Sequence, residues 1–172
     1  APVNQFISFN RRLGKKQKMA FGTQLFNDVN GAFKNMGLQG TYAYHVKTNE
    51  NSKLSFGVSA ILSQTTVDGT NFIVNDYSDE TLLGIKQKSF APDASIGIFY
   101  FSQNLFIGAS ANQLLQAKYS FGENLIQNRQ VNHIYGSGGI TISLGPGYKM
   151  EPSFLIKTVG PAPTEVDLNA RF

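Results

Sequence analysis

The sequence predicts an all-β fold: an antiparallel transmembrane β-barrel of the bacterial outer membrane, incomplete in this chain. Three observations support the prediction. Segments of about ten residues alternate apolar and polar side chains with a period of two, and the connections between them alternate short and long. No apolar run approaches the roughly 18 residues that a transmembrane helix needs. A barrel in an outer membrane has tight turns at one rim and elaborated loops at the other.

Composition is typical of the same class. The 172 residues suffice for one domain, which we expect to span residues 1–172. Charged residues make up 15 % of the chain, against about 25 % in ordinary soluble domains, yet the mean hydropathy is only −0.17. The absence of cysteine excludes a disulfide framework and a thiolate metal site. Because the chain opens on Ala1-Pro2-Val3 without a charged and apolar leader, we expect a signal peptide to have been removed.

Nine strands are predicted between clusters of Gly, Asn, Pro and Ser. Most are nearer to the about nine to eleven residues of a tilted membrane-spanning strand than to the five or six of a globular one. They are expected at 4–10, 18–27, 35–46, 53–64, 93–102, 105–114, 132–144, 148–157 and 167–172.

The fourth predicted strand shows the alternation best. One face carries Leu54, Phe56, Val58, Ala60 and Leu62. The other carries Ser55, Gly57, Ser59 and Ser63, interrupted only by Ile61. The seventh repeats the pattern, with Ile134, Ile140, Ile142 and Leu144 opposed to Ser137, Thr141 and Ser143. Such a strand has one face suited to lipid and one to a wetter interior.

The connections assign the two rims. The odd-numbered ones (11–17, 47–52, 103–104 and 145–147) are short and are expected in the periplasm. The even-numbered ones (28–34, 65–92, 115–131 and 158–166) include two long segments and are expected outside the cell. The first strand then runs inward and the count is odd, whereas bacterial single-chain barrels have even counts. We therefore expect strands of a larger barrel to be missing at both ends.

Several segments, in order, resemble the PorP/SprF family of the type IX secretion system. They are Thr41-Tyr-Ala-Tyr-His-Val-Lys-Thr-Asn-Glu-Asn-Ser-Lys-Leu-Ser-Phe-Gly57, Pro92-Asp93 with Gly97-Ile-Phe-Tyr100 and Phe106-Ile-Gly108, His133-Ile-Tyr-Gly-Ser-Gly-Gly139, Glu151-Pro-Ser-Phe-Leu-Ile-Lys157, Ala162-Pro163 and Asp167-Leu-Asn-Ala170. The resemblance covers nearly the whole chain. The family's N-terminal segment with Asn-Pro-Ala-like turns and its last strands are absent.

The resemblance implies an outer-membrane barrel that works with the type IX machinery of gliding and related bacteria. Family members support secretion or surface retention of large proteins, notably gliding adhesins with a C-terminal signal domain. Some associate with periplasmic components that link the outer membrane to peptidoglycan. The implied partners are thus membrane lipid, the adhesin's C-terminal domain and periplasmic type IX components.

Enzymatic and metal sites find little support, and we expect neither catalysis nor a cofactor. The only histidines, His45 and His133, lie on the predicted polar face without a nucleophile elbow or paired carboxylates. A hydrogen-bonded lumenal histidine is the favoured interpretation. The segment 68–71 with Asp76, Asp79 and Glu80 offers oxygen ligands for calcium but lacks EF-hand spacing, so a solvated loop is favoured. Gly136-Ser-Gly-Gly139 precedes no helix and indicates a tightly curved strand or a close backbone approach instead of a phosphate cradle.

Two groups of residues are candidates for contacts. The basic run Arg11, Arg12, Lys15, Lys16 and Lys18 is either a solvated hairpin tip or a docking point for an acidic periplasmic partner. Nucleic acid is not expected, since the chain lacks a basic stripe with interleaved aromatics. Aromatic residues near strand ends are candidates for interfacial girdles, although a soluble core would use the same residues. They are Tyr42, Tyr44, Phe99, Tyr100, Phe101, Tyr135 and Tyr148.

The function predicted from these features is non-enzymatic. The long segments 65–92 and 115–131 are expected to form an outer platform for cargo, while the basic turn meets periplasmic machinery. A passive porin or solute channel is the main alternative, and it predicts an open polar lumen. A soluble lipocalin-like binding barrel is a third possibility, for which eight strands suffice.

Overall fold

A computed structural model describes residues 2–14, 18–68, 86–121 and 126–172. Its elements are all β-strands. They are β1 (Val3–Leu13), β2 (Met19–Asn30), β3 (Phe33–Asn49), β4 (Ser52–Asp68), β5 (Lys86–Phe101), β6 (Leu105–Asn112), β7 (Lys118–Phe121), β8 (Ile126–Arg129), β9 (His133–Ile140), β10 (Ile142–Gly145), β11 (Tyr148–Val159) and β12 (Glu165–Arg171). In these residues no helix has the length and apolar character needed to cross a membrane.

Ten of the strands form one open antiparallel sheet in which chain neighbours pair. The order is β1 to β6, then β9, β11 and β12. β10 extends β9 along β11 without a change of register, because Gly139 faces Ser153 and Ile142 faces Met150. β9 and β10 are therefore one predicted strand interrupted at Thr141. The nine predicted strands follow one another as expected, which confirms the all-β antiparallel prediction and is consistent with the wall of a β-barrel.

Most strands are longer than predicted, and β3, β4 and β5 exceed their predicted lengths by five or six residues each. β3 and β4 each have 17 residues and β5 has 16. The β3–β4 ladder runs from Asn49 opposite Ser52 to Phe33 opposite Val67. Backbone pairing continues here through polar residues that the sequence pattern assigned to connections, since the ladder bonds involve no side chains.

Two predicted loops are wrong. The connection at 28–34 is a two-residue turn, in which Asn30 faces Phe33 and Gly31 adopts a φ of +60°, a conformation that favours glycine. The segment 115–131 is not a plain loop either, because β7 and β8 pair within it as a separate hairpin. The predicted 65–92 loop shortens to residues 69–85, which lie outside the described residues.

The two faces of the sheet differ sharply in character. On the β4 row, Phe56 is 46 % exposed, and Val58 and Leu62 are 54 % exposed. The matching seventh-strand row, Ile134, Ile140, Ile142 and Leu144, is also exposed. Among described residues the only buried hydrophobic side chains are Val67 and Ala91. We call this exposed side the apolar face. A soluble barrel would bury such a row, so the lipocalin-like alternative loses its support.

The opposite side, the polar face, carries the serines, glycines and threonines of the same strands. Pairing of Thr41 with Ser59 and of Ser59 with Ser95 sets these residues in one row across β3, β4 and β5. Most are partly buried although they are small. Large side chains are exposed on the apolar face, whereas small ones are partly buried on the polar face. This difference indicates a curved sheet with its polar face on the concave side.

The strand ends form two rims. The short-turn rim holds the strand ends at Gly14 and Lys18 and the connections around residues 50–51, 102–104 and 146–147. The excursion rim holds the Gly31–Ala32 turn, the ends of β4 and β5 at Asp68 and Lys86, the base of the β7–β8 hairpin, and residues 160–164.

Candidate functional site

An open recess lies on the polar face of the sheet. It has a volume of about 350 Å³ and a floor of small residues from five neighbouring strands, β3 to β6 and β9. The floor includes Ala43, Ser55, Gly57, Ser59, Ser95, Gly97, Gly108, Ser110 and Ser137. The Thr41 and Ser59 hydroxyls lie 2.9 Å apart, and the Gln39 amide donates to Thr41 Oγ1 at 3.2 Å. These bonds tie polar side chains of β3 and β4 together beside the recess, whose own exposed lining is mostly apolar.

Both histidines lie on this face and both are hydrogen-bonded. His45 Nδ1 is 2.7 Å from Ser55 Oγ, and His133 Nδ1 is 3.2 Å from the Tyr135 hydroxyl. Nucleophilic catalysis requires a third group that orients the histidine. No described carboxylate bonds to either ring. The arrangement is that of the predicted lumenal, hydrogen-bonded histidine.

Charged residues on the polar face of β11 and β12 are paired across the strands. Lys157 Nζ lies 2.8 Å from Asp167 Oδ2 and 3.5 Å from Glu165 Oε1. Arg171 Nη2 is 2.9 Å from Glu151 Oε1, whose other oxygen accepts from Thr141 Oγ1 at 3.2 Å. Sequence reasoning missed these pairs. The pairs could be predicted only from the register between the last two strands, which puts Lys157 opposite Glu165.

A buried carboxylate on the polar face anchors the excursion that follows β6. Asp93 is 5 % exposed, and its Oδ1 accepts the Ala94 N–H at 2.7 Å and the Leu115 N–H at 3.2 Å. The Leu114 N–H donates to the Ala94 carbonyl at 3.0 Å. Gln113 and Gln116 have positive φ values of 53° and 47°, which non-glycine residues adopt at a cost. Asp93 thus holds a sharply turned backbone against β5.

The hairpin built on this anchor starts over β5 instead of rising freely from the rim. The Gln130 N–H donates to the Ala117 carbonyl at 3.1 Å and closes the base of the hairpin. Strand β7 contacts β5. Beneath this region, Ala91 is fully buried and Ser89 is nearly so. The segment predicted as an outer platform therefore begins by covering part of the polar face.

The predicted interfacial aromatics divide between the faces. Tyr42, Tyr44 and Tyr100 belong to the apolar face, as does Tyr148 by its position in β11. Phe99 and Tyr135 lie on the polar face, opposite Ser55 and Ser110 respectively. They cannot meet the lipid that the apolar face would contact. For the four tyrosines an interfacial girdle stays a prediction.

The polar-face aromatics form a cluster of their own near the short-turn rim. Ring centroids of Phe99 and Phe106 are 6.2 Å apart, as are those of Phe99 and Phe101. Lys53 Nζ lies 5.9 Å from the centre of the Phe101 ring, a distance at which a cation–π contact is favourable. A Cβ at Gly139 would lie 2.6 Å from the Phe106 ring, so this glycine leaves room for an aromatic side chain of the neighbouring strand.

The structure places only part of the predicted basic run, residues 11–18, at one site. Arg11 and Arg12 belong to β1 and not to the turn, so they project to opposite faces, Arg11 opposite Phe21 and Arg12 opposite Ala20. Lys18 is exposed at the start of β2, and Lys15 and Lys16 lie outside the described residues. Other exposed basic residues of this rim, Lys47 and Lys149, widen the positive area beyond the predicted run.

The structure offers no metal centre in its described part, where no group of three or more His, Cys, Asp or Glu side chains could hold an ion. Of the segment for which the sequence favours a solvated loop over a calcium site, only Asp68 is described, and Asp76, Asp79 and Glu80 fall outside those residues.

Comparisons with known proteins agree with the fold. The family model described as type IX secretion system membrane protein PorP/SprF matches residues 1–172, the entire chain. No curated protein and no solved structure matches the chain. The family is a membrane component of a secretion system and not a known enzyme family. The chain belongs to the PorP/SprF family of type IX secretion system membrane proteins.

Proposed function

We propose that the chain forms part of the wall of an outer-membrane β-barrel that helps to export, or retain at the surface, a large secreted adhesin. In this proposal the barrel recognises the adhesin's C-terminal domain on one side of the membrane and contacts periplasmic type IX components on the other. Its role is recognition, without chemistry on the cargo. The single observation that carries the membrane placement is the exposed apolar face.

The apolar face supports a hydrocarbon environment because water would penalise it heavily. Side chains as large as Phe56, Val58 and Leu62 are about half exposed on strands that are fully paired with their neighbours. Burying apolar surface contributes roughly 25 cal/mol per Å², so a soluble protein would cover such a face. Lipid covers it without any further protein layer.

The rims support a division of roles. The short-turn rim exposes Arg11, Arg12, Lys18, Lys47 and Lys149, while its described carboxylates are Glu50 and Glu151. Glu151 is already paired with Arg171. This positive excess fits an acidic periplasmic partner, for which charge improves orientation and association rate more than affinity. The excursion rim carries the longer connections, which suit recognition of cargo.

A passive solute channel is the second candidate, and the polar face favours it specifically. The recess of about 350 Å³, with serines and glycines along its floor, lies on the side of the sheet that would face a barrel lumen. The hairpin that covers part of β5 would narrow the lumen of such a channel. Single-channel recording on the full-length barrel separates the two functions, because a recognition protein needs no solute-dependent conductance.

Cysteine labelling in intact cells tests the orientation on which the proposal depends. The chain has no native cysteine, so N51C and P163C each give a single reporter at one rim. We expect a membrane-impermeant maleimide to label P163C in intact cells and N51C only after the outer membrane is opened. Labelling of N51C alone in intact cells would contradict the proposed orientation.

Charge reversal at the short-turn rim tests the periplasmic contact. We expect R11E/R12E to weaken co-purification of periplasmic type IX components while barrel assembly, followed by heat-modifiable gel mobility, stays normal. K118E/R129E reverses two exposed, paired basic residues of the β7–β8 hairpin, is the matched control and should leave co-purification unchanged. Equal recovery of periplasmic partners with R11E/R12E would remove this contact from the proposal.

A further inference from the structure

The apolar face carries a pair of lysines close to the excursion rim. The strand register sets Lys34 of β3 opposite Thr66 of β4, and Thr66 opposite Lys88 of β5. Paired residues share a face, so both lysines project from the apolar face. Neighbouring strands lie about 4.8 Å apart, which separates the two lysine Cα atoms by about 10 Å. Side chains of this length can bring both ammonium groups to one anion.

These lysines have no competing partner in the described part of the chain. Both are exposed, and neither forms an ion pair there. Among nearby carboxylates, Asp28 lies on the polar face, opposite Asn35. Asp68 lies on the apolar face one row nearer the rim and is engaged in an interaction of its own. Within the described residues, the lysine pair is thus a positive spot without a counter-ion at the edge of an apolar surface.

Directly below the lysines, away from the rim, is a row of amides. The Asn27 amide donates to Gln5 Oε1 at 3.3 Å, and the Gln64 amide donates to Thr66 Oγ1 at 3.4 Å. Asn27 faces Met36, which faces Gln64, so the row crosses β2, β3 and β4 at one level. One bond joins two amides across β1 and β2, the other joins Gln64 to the lysine row above it, and Asn27 Oδ1 is buried without a partner among the described residues.

Below and between the amides, the surface hollows into a trough of about 710 Å³. Its apolar lining comes from Ile7, Leu25, Met36, Leu38, Leu62 and Phe90. From the rim inward, the order is therefore two cations, a row of amides and an apolar trough. The same order of charge, polar linkage and hydrocarbon occurs along a phospholipid molecule.

We propose that this surface binds a phosphorylated membrane lipid, with its phosphate between Lys34 and Lys88 and an acyl chain in the trough. The proposal rests on the membrane placement proposed above. A lipid is favoured over a soluble anion because the trough opens on the face turned toward hydrocarbon. It is favoured over a protein partner because one lipid molecule supplies charge, polar linkage and chain in the observed order.

The test uses the full-length protein in nanodiscs of phosphatidylcholine that contain a small fraction of phosphatidylglycerol. Native mass spectrometry counts the anionic lipid retained per protein. We expect K34Q/K88Q to lower the apparent affinity for phosphatidylglycerol by roughly 10- to 30-fold, since a basic residue near a membrane surface contributes about 1 kcal/mol. K47Q/K149Q removes the same charge at the other rim and should leave retention unchanged.

The trough is tested separately by filling it. L62W should lower retention of phosphatidylglycerol several-fold while both lysines remain. Displacement of the lipid by inorganic phosphate alone would overturn the acyl-chain part of the proposal. A protein that inserts but shows no preference for phosphatidylglycerol, or that loses it equally in both lysine variants, would overturn the lipid site. A protein that fails to insert would overturn the proposed membrane function itself.

Discussion

The two faces of β4 differ in exposure, because its apolar side chains are exposed and its small polar side chains are partly buried, although the two kinds alternate along one backbone. Val58 is 54 % exposed, while its neighbour Ser59 is partly buried and lies 2.9 Å from the Thr41 hydroxyl. In a soluble protein the valine would be the buried residue. The inversion indicates that burial against other protein atoms does not stabilise this face. The apolar face contacts the surrounding medium instead, and apolar side chains are more stable in hydrocarbon than in water.

The largest expected effect comes from placing a charge on each face in turn. V58R should destabilise the folded protein in lipid vesicles by about 2–4 kcal/mol, the cost of a lipid-facing basic residue near the bilayer midplane. S59R, one residue away, should cost about 1 kcal/mol through the lost Thr41 hydrogen bond. Urea titration of the full-length protein in vesicles measures both. A larger loss for S59R would reverse the assignment of the faces.

An intermediate effect is expected where the polar face holds the excursion after β6. D93A leaves the N–H groups of Ala94 and Leu115 without their acceptor and should weaken local structure by about 1–3 kcal/mol. Hydrogen exchange at the Leu115 amide should then speed up by roughly one to two orders of magnitude. D93N keeps an acceptor oxygen and should change exchange much less. Unaltered exchange in D93A would show that Asp93 is not the anchor.

The smallest effect is expected at the charge pairs of the last two strands. Arg171 is 78 % exposed and Glu151 25 % exposed, so solvent screens their attraction. A double-mutant cycle with R171Q and E151Q should give a coupling below about 1 kcal/mol that shrinks as salt is added. A coupling of several kcal/mol that salt leaves unchanged would place this part of the polar face in a dry environment.

The strand order and the two faces could be predicted because period-two alternation reports directly which side chains share a face. The row from Leu54 to Leu62 needed no tertiary information. The position of Arg11 and Arg12 could have been predicted by the same rule. It was missed because the first strand was expected to end at Asn10, which left both arginines in a turn, whereas pairing continues to Leu13 opposite Met19.

The β7–β8 hairpin could not be predicted in the same way. Its strands have four residues each, too short for alternation to be visible. The turn that starts it depends on Asp93, which is 22 residues before Leu115 in the chain. A contact of this kind arises only when β5 and β6 are paired. The lipid-facing lysines also needed the register, because Lys34 and Lys88 are adjacent only across β4.

The most direct test of the account measures which residues touch hydrocarbon. The chain contains no tryptophan, so V58W and S59W each provide a single fluorescent reporter in the full-length protein. In vesicles whose acyl chains carry bromine, which quenches tryptophan on contact, we predict strong quenching of V58W and little quenching of S59W. Equal quenching of the two variants, or stronger quenching of S59W, would contradict the assignment of the apolar face to lipid.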